Sequence, residues 1–486
     1  MTDTSTQRRT SASGTFGVVM ALLAAIVAFQ LNASMLSPVL ATMEKELDTR
    51  AAQIGVTQTA FFTAAALFSL IMPRWGDLIG RKRIMLGLLA VTGVGSVLAA
   101  VATSVDVLLV ARVIQGASGP IVPMALIMLR AEISDDKRYA FWMAVLASVN
   151  GGIAGVDALA GGWLASAFGF HAVFWTMAVV CVVAFVCVVA GVGDSRNVED
   201  RHPMDWKGAA PLVISLGAVL IAFNELGKLS AANWTLFAVL MVVGILAFVI
   251  FWRVESTTAA PLVSTHYLKE RRTWGLLLTT VLTMTGVFAV MNGLVPNLAQ
   301  AKGFGGIDAD SVSWITLTPY ALAGLLMGPI AGKLASRFGY LAVLRAGIVI
   351  TIVGVGVAVL AVSNPASWLL FIVSTWIGIS YAGMTNIMLN GLGVVLSPKD
   401  NTGYLPGMNS GAFNIGAGLS FALLFAVNTW LSDGSGAAAG YRGGMLTGAL
   451  VLVLALLASV LIPKPTNAEH FDDEGSAPTA GQEVTS

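Results

Sequence analysis

The stretch Gly76-Asp77-Leu78-Ile79-Gly80-Arg81-Lys82-Arg83 lies between two long apolar runs, and its chemistry sets the fold class. Glycine permits a tight turn between two helices, a carboxylate at Asp77 can face a helix N-terminus or a basic partner, and the Arg/Lys cluster anchors the turn at a membrane interface. A weaker copy, Gly332-Lys333-Leu334-Ala335-Ser336-Arg337-Phe338-Gly339, recurs in the second half of the chain. Aligning Gly80 with Gly339 puts Ser336 in the place of Asp77, which reads as a degenerate internal repeat.

Outward from these turns the chain is apolar nearly everywhere. Of 486 residues, 56% are hydrophobic and 11% charged, against roughly 25% charged in an ordinary soluble domain. A soluble enzyme is excluded. At roughly 20 residues per membrane helix there is material for a dozen spans or slightly more. Apolar runs broken by Gly, Pro and charge clusters give fourteen candidates, centred near Ala25, Ala64, Val94, Ala117, Ser148, Val179, Ala218, Val243, Thr285, Leu322, Val353, Trp376, Ile415 and Val453. The net charge of +1 offers no field for nucleic acid. Cys181 and Cys187, six residues apart in one run, read as small buried hydrophobes with neither disulfide nor metal. Arg8 and Arg9 precede a run too long for a cleaved signal, so the first span is expected to be retained.

Lys and Arg gather on cytoplasmic loops. With the N-terminus inside, 21 of the 27 fall on inner loops and five on outer ones (Lys45, Arg50, Lys228, Lys302, Arg442), while Arg112 lies within a span. Both termini are therefore expected in the cytoplasm of a cell-membrane protein. Polar segments at Asp194 to Lys207 and Arg253 to Arg272 divide the chain into a six-helix bundle (1–200), two additional helices (201–262), a second six-helix bundle (263–463) and a disordered cytoplasmic tail (464–486).

The Gly76 to Arg83 pattern resembles the helix 2 to 3 signature of the major facilitator superfamily, and the 6 + 2 + 6 count of fourteen transmembrane helices resembles its drug:proton antiporter branch. Arg112-Val113-Ile114-Gln115-Gly116 with Pro123 is similar to that family's second motif, in which a buried arginine is linked to proton coupling. Asp205-Trp206-Lys207-Gly208, and Glu255 followed by Pro261-Leu262, resemble the linkers flanking the two added helices. The resemblance implies an all-α major facilitator fold working by alternating access, with Asp77, Gly80 and Arg81 as the conformational switch.

Span 5 departs from the antiporter pattern. Registering on Gly161-Gly162 puts Asp157-Ala158 where Gly-Pro is expected, and span 1 carries Asn32 where the branch usually has an aspartate. The proton-coupling carboxylate is therefore expected to have moved to Asp157, level with Asn32, with Arg112 as the second coupling residue. Charges at bilayer depth mark function by default. Amides in apolar spans are costly unless they face a wet cavity or one another. Asn32, Gln58, Gln115, Asn292, Asn386 and Asn409, with Trp376, form the expected substrate cavity, while Gln30, Asn150, Asn297, Asn390, Asn414 and Tyr381 are further polar residues there. His171, His202 and His266 make no metal or catalytic constellation.

These features predict a proton-coupled secondary transporter, monomeric and without cofactor, whose partners are a small organic solute, protons and lipid. Export of drugs or other organic solutes in exchange for protons is the first expectation. Import of a small metabolite by proton symport is the alternative, motivated by the missing Gly-Pro, and a polytopic enzyme or sensor is the remote third. Glu225 is the next acid should Asp157 fail.

Overall fold

The computed structural model describes residues 12–464 apart from 134, 194–205, 227–231, 259–264 and 399–403. Most of the Asp194 to Lys207 linker, the Pro261-Leu262 pair, His202 and the tail from 465 lie outside the described residues. Those described form helices, with no strand among them.

In chain order, α1 (Ala12–Ser34) turns into a short α2 (Leu40–Glu46), followed by α3 (Ala51–Ile79) and α4 (Arg81–Ala100). Next come α5 (Val105–Gln115), a 3-10 turn at Gly116–Ser118, α6 (Ile121–Glu132), α7 (Asp136–Phe168) and α8 (Phe170–Gly191). The pair α9 (Trp206–Leu226) and α10 (Trp234–Thr257) pack on each other. After α11 (Thr265–Leu268), α12 (Arg271–Ala289) runs through a π-helical segment, Val290–Leu294, into α13 (Val295–Gln300). Likewise α14 (Ala309–Val312) passes through Ser313–Leu317 into α15 (Thr318–Phe338). Then come α16 (Tyr340–Ala361), and α17 (Ser367–Ile377), which passes through Gly378–Thr385 into α18 (Asn386–Val395). The chain closes with α19 (Tyr404–Ser435) and α20 (Ala437–Ala458).

Among the described residues, twelve helices are long and apolar enough to cross a membrane, so the chain is a multi-pass membrane protein. The fourteen-helix 6 + 2 + 6 count is not supported by that measure. Two stretches fall outside the twelve for a physical reason. α7 opens with Asp136-Lys137-Arg138 and is diluted by Gly, Ser, Asn and Asp157, and α9 keeps only Trp206–Val219 as a described apolar run.

The repeat seen in sequence is geometric as well. Gly80 joins α3 to α4 at φ 112°, and Gly339 joins α15 to α16 at φ 86°, a region costly for any residue with a Cβ. Basic side chains beyond each turn neutralise helix C-termini. Lys82 donates to Val189 O (2.9 Å) and Val192 O (2.6 Å) at the end of α8. Arg345 donates to Ser459 O at 3.1 Å, just past α20. We call the end bearing these turns the basic face. Outward-pointing Val, Leu and Ile on α8, α10 and α16 remain exposed, as lipid contact requires.

Candidate functional site

Lipid tails give helices no hydrophobic reason to associate, so close approach of small residues has to hold them together. A Cβ on Gly116 would lie 2.4 Å from Ala64 Cβ, and one on Gly119 2.3 Å from Ala65 O. α5 and α6 therefore ride directly on α3, and the side chain just before that contact, Arg112, is fully buried. Its Nη1 donates to Asn32 O (3.1 Å) and Gln115 Oε1 (2.8 Å), and its Nη2 to Gln58 Oε1 (2.9 Å). The guanidinium stands 4.1 Å from the centre of the Phe61 ring. Gln115 passes the network on to Ser96 Oγ at 3.0 Å. The structure thus gathers Arg112, Asn32, Gln58 and Gln115 in one place. They form a sealed knot inside the first half rather than the lining of an open cavity.

Asp157 stands elsewhere. Its Oδ2 is 2.5 Å from Ser34 Oγ at the C-terminal end of α1. The expected meeting with Asn32 does not occur, because residues two apart on a helix point about 200° apart. Asn32 instead donates to Ala28 O at 2.8 Å and accepts from Ser96 Oγ at 3.4 Å. Nor does Asp157 pair with Arg112; the cation and the acid grip the same turn of α1 from different sides. Around Asp157, α7 is pressed between α1 and the second half. A Cβ on Gly161 would meet Met35 O at 2.3 Å, and one on Gly162 Ala309 O at 2.2 Å. The carbonyls flanking the acid accept from the other half, Gly155 O from Thr318 Oγ1 (3.2 Å) and Ala158 O from Ser313 Oγ (2.7 Å).

Further contacts join the halves at the same level or beyond it, away from the basic face. Thr59 Oγ1 donates to Gly418 O (3.0 Å), Ser37 Oγ to Asn292 Oδ1 (3.3 Å) and Gln300 Nε2 to Pro38 O (3.1 Å). At the rim Arg50 pairs with Asp433 at 2.8 Å. Between α3 and the second half runs an aromatic column. Phe62 meets Phe288 edge-on at 5.2 Å and stacks on Phe421 at 6.3 Å, and Phe288 meets Phe413 at 6.0 Å.

The second half supplies neutral groups. Thr280 donates to Asn409 Oδ1 at 2.6 Å, Tyr381 Oη to Met284 Sδ at 2.7 Å, and Tyr320 stacks on Tyr381 at 6.4 Å. Asn292 sits in the π segment after α12, and Tyr381 in the one after α17. Trp376 does not belong to the expected cavity. It is 43% exposed, packs over Gly354 and donates its indole N–H to Ile350 O at 3.0 Å, on the outer side of α16. Asn386 is half-buried and accepts from Asn390 Nδ2 at its carbonyl (2.9 Å) and its Oδ1 (3.2 Å).

This architecture matches known proteins. The family model described as Major Facilitator Superfamily matches residues 21–421 and 276–483. The chain belongs to this superfamily. The uridine/deoxyuridine transporter of Lactococcus lactis subsp. cremoris (strain MG1363) is 53% identical over 452 residues, covering 92% of this chain and 94% of that one. The multidrug transporter protein MdtP of Bacillus subtilis (strain 168) is 25% identical over 285 residues, 58% of this chain and 51% of that one. Among solved structures, a mutant of the nucleoside transporter NupG has a TM-score of 0.63 at 13% identity, covering 92% of this chain and all of that one. The human organic anion transporter MFSD10 has a TM-score of 0.60 at 13% identity, covering 92% and 99%.

The protein is therefore a membrane transporter of the major facilitator type. Its assignment to the drug:proton antiporter branch is corrected by the 53% relative, whose name carries a nucleoside and not a drug. The superfamily's turn is in place: Arg81 Nε donates to Asp77 Oδ1 at 2.8 Å across Gly80. Sequence reasoning missed Ser34, Ser37 and Gln300, and no signal marked Ser34 among the many serines of the chain. It missed the π segments too, since they leave composition unchanged; such bulges recur at functional sites. The free Cys181 is buried and Cys187 half-buried.

Proposed function

We propose that the protein carries pyrimidine nucleosides of the uridine type into the cell with protons, by alternating access of two helical halves. One observation carries this reading: 53% identity along nearly the full length of both chains to a uridine/deoxyuridine transporter. Identity at that level over the whole length favours a shared solute class, because a changed substrate demands changes in the residues that bind it. The missing Gly-Pro pair in span 5 agrees with import, and the excess of Lys and Arg on alternate loops supports a cytoplasmic basic face and cytoplasmic termini for a protein of the cell membrane.

In this proposal residues 1–200 and 263–463 are the moving halves and 201–262 an added pair. α7 and α9 cross as well, since helices of 33 and 21 residues are about 50 and 32 Å long at 1.5 Å per residue. The chemistry is assigned as follows. Asp157 takes and gives up the proton. Its Oδ1 is buried without a hydrogen-bond partner among the described residues. Arg112 keeps α1 seated on α3 and α5. Aromatic rings at Phe288 and Phe413, half-buried between the halves, suit stacking on a planar base, and Asn292 and Gln30 supply amide donors and acceptors for base and ribose.

The test is uptake of radiolabelled uridine by proteoliposomes holding the full chain. Accumulation against a gradient when the lumen is more alkaline, competition by deoxyuridine and collapse with a protonophore are expected. Absence of uridine counterflow in active vesicles overturns the substrate class, and accumulation indifferent to pH overturns the coupling.

A further inference from the structure

The turn that ends α1 is held from several directions at once. Asn32 O accepts from Arg112, Ser34 Oγ meets Asp157, Ser37 Oγ donates to Asn292, and Pro38 O accepts from Gln300. The stretch Asn32 to Pro38 therefore touches the buried cation, the buried acid and the opposite half within seven residues of sequence.

The hydrogens at Ser34 can be counted. Its hydroxyl lies 2.5 Å from Asp157 Oδ2 and 3.0 Å from Gln30 O, and it accepts from Gln30 Nε2 at 2.9 Å. A hydroxyl owns one hydrogen and two lone pairs, so it cannot donate to both oxygens. With Asp157 ionised, the hydrogen turns to the carboxylate and leaves Gln30 O. With Asp157 protonated, the acid donates its own hydrogen to Ser34, and Ser34 donates to Gln30 O. Every bonding position of the hydroxyl is then filled. A serine bonding its i−4 carbonyl bends and retunes a helix end, so the two protonation states give the last turn of α1 two hydrogen-bond patterns. One proton is bound or lost at Asp157, and no other group changes its proton count.

We infer that Ser34 is the positioning residue through which the proton on Asp157 is read by the end of α1, and that Ser37 and Pro38 pass the change to Asn292 and Gln300 in the other half. This rests on the proton-coupled reading above. No charged side chain competes among the described contacts. α1 has no ionisable residue, and the other charges of α7 lie in its first turn. Asp308 and Asp310 lie at the start of α14, where Asp310 accepts from the N–H of Ser311. Lys333 and Arg337 of α15 lie in its last two turns, and Arg130 and Glu132 close α6, all toward the basic face. On α8, His171 meets Ala100 O, while Cys181 and Cys187 lie farther along that helix. Tyr320 stacks on Tyr381.

The experiment uses the full chain in vesicles and reads the proton and the solute separately. An infrared pH titration should show a carboxylic-acid band that is absent in Asp157→Asn, displaced in Ser34→Ala and restored in Ser34→Thr, which keeps the hydroxyl. Ser37→Ala should leave the band and its titration unchanged. Gradient-driven uridine accumulation should fall about tenfold or more in Ser34→Ala, the worth of one hydrogen bond to a charged group, and recover in Ser34→Thr. A band untouched by Ser34→Ala, or a Ser34→Ala protein with the wild-type pH profile and only a uniformly lower rate, overturns the role of Ser34. If wild type shows the titrating band and its dependence on Ser34 but no uridine flux, only the substrate assignment fails.

Discussion

The two halves share a turn, at Gly80 in one and Gly339 in the other, and differ in how they hold polar groups. In the first half a cation, Arg112, is fully buried among Asn32, Gln58, Gln115 and Phe61, and an acid, Asp157, is buried against Ser34. In the second half the buried polar groups include Thr280, Asn409, Tyr381 and Asn292, all neutral, and three π segments interrupt its helices. Charge is concentrated in one half and backbone irregularity in the other. In the proposed function the first half senses the proton and the second shapes itself round the solute.

The sharpest way to break that division is Asp157→Asn. Gradient-driven uridine accumulation should fall to background while counterflow, which needs no net proton movement, continues; accumulation that survives places the proton elsewhere, with Glu225 next to test. Arg112→Leu should follow. Its loss strands the amides of Gln58 and Gln115 and the carbonyl of Asn32, so the detergent-solubilised protein should lose about 3 kcal/mol or more of stability, read as a lowered Tm. Asn409→Ala in the second half, which breaks a neutral bond to Thr280, should cost about 1 kcal/mol and act mainly on uridine affinity. Equal damage from these two changes would erase the proposed contrast between the halves.

Gly162→Ala probes the seam itself. The added methyl would press on Ala309 O, costing about 1–3 kcal/mol and favouring the state in which this end is parted. Slower cross-linking of cysteines placed at Arg50 and Asp433 would report it. Smallest of all is Arg50→Ala: the ion pair is 68% and 59% exposed, and its removal should change stability by less than about 1 kcal/mol.

The outcome separates two kinds of legibility. Gly80 and Gly339 announced their turns because a positive φ leaves few other residues eligible, and Arg112 announced itself because a charge in an apolar run has few innocent explanations. Trp376 misled, since an indole can face lipid as readily as a cavity when its N–H finds a backbone carbonyl. The drug-antiporter reading lacks support beside the importer alternative, because the motifs quoted for it belong to the superfamily's fold, which transporters of many solutes share.

What the sequence determined by itself is the membrane class, the repeated turn and the short list of charged residues at depth, because hydrophobicity and charge act residue by residue. Which partner each of them found was decided only in three dimensions. Asn32 and Ser34 are two positions apart and both polar, yet helix rotation hands one to Ser96 and the other to Asp157. The small residues that let α7 lie on both Met35 and Ala309 brought that acid to the junction of the two halves, and such a meeting depends on packing between segments far apart in the chain.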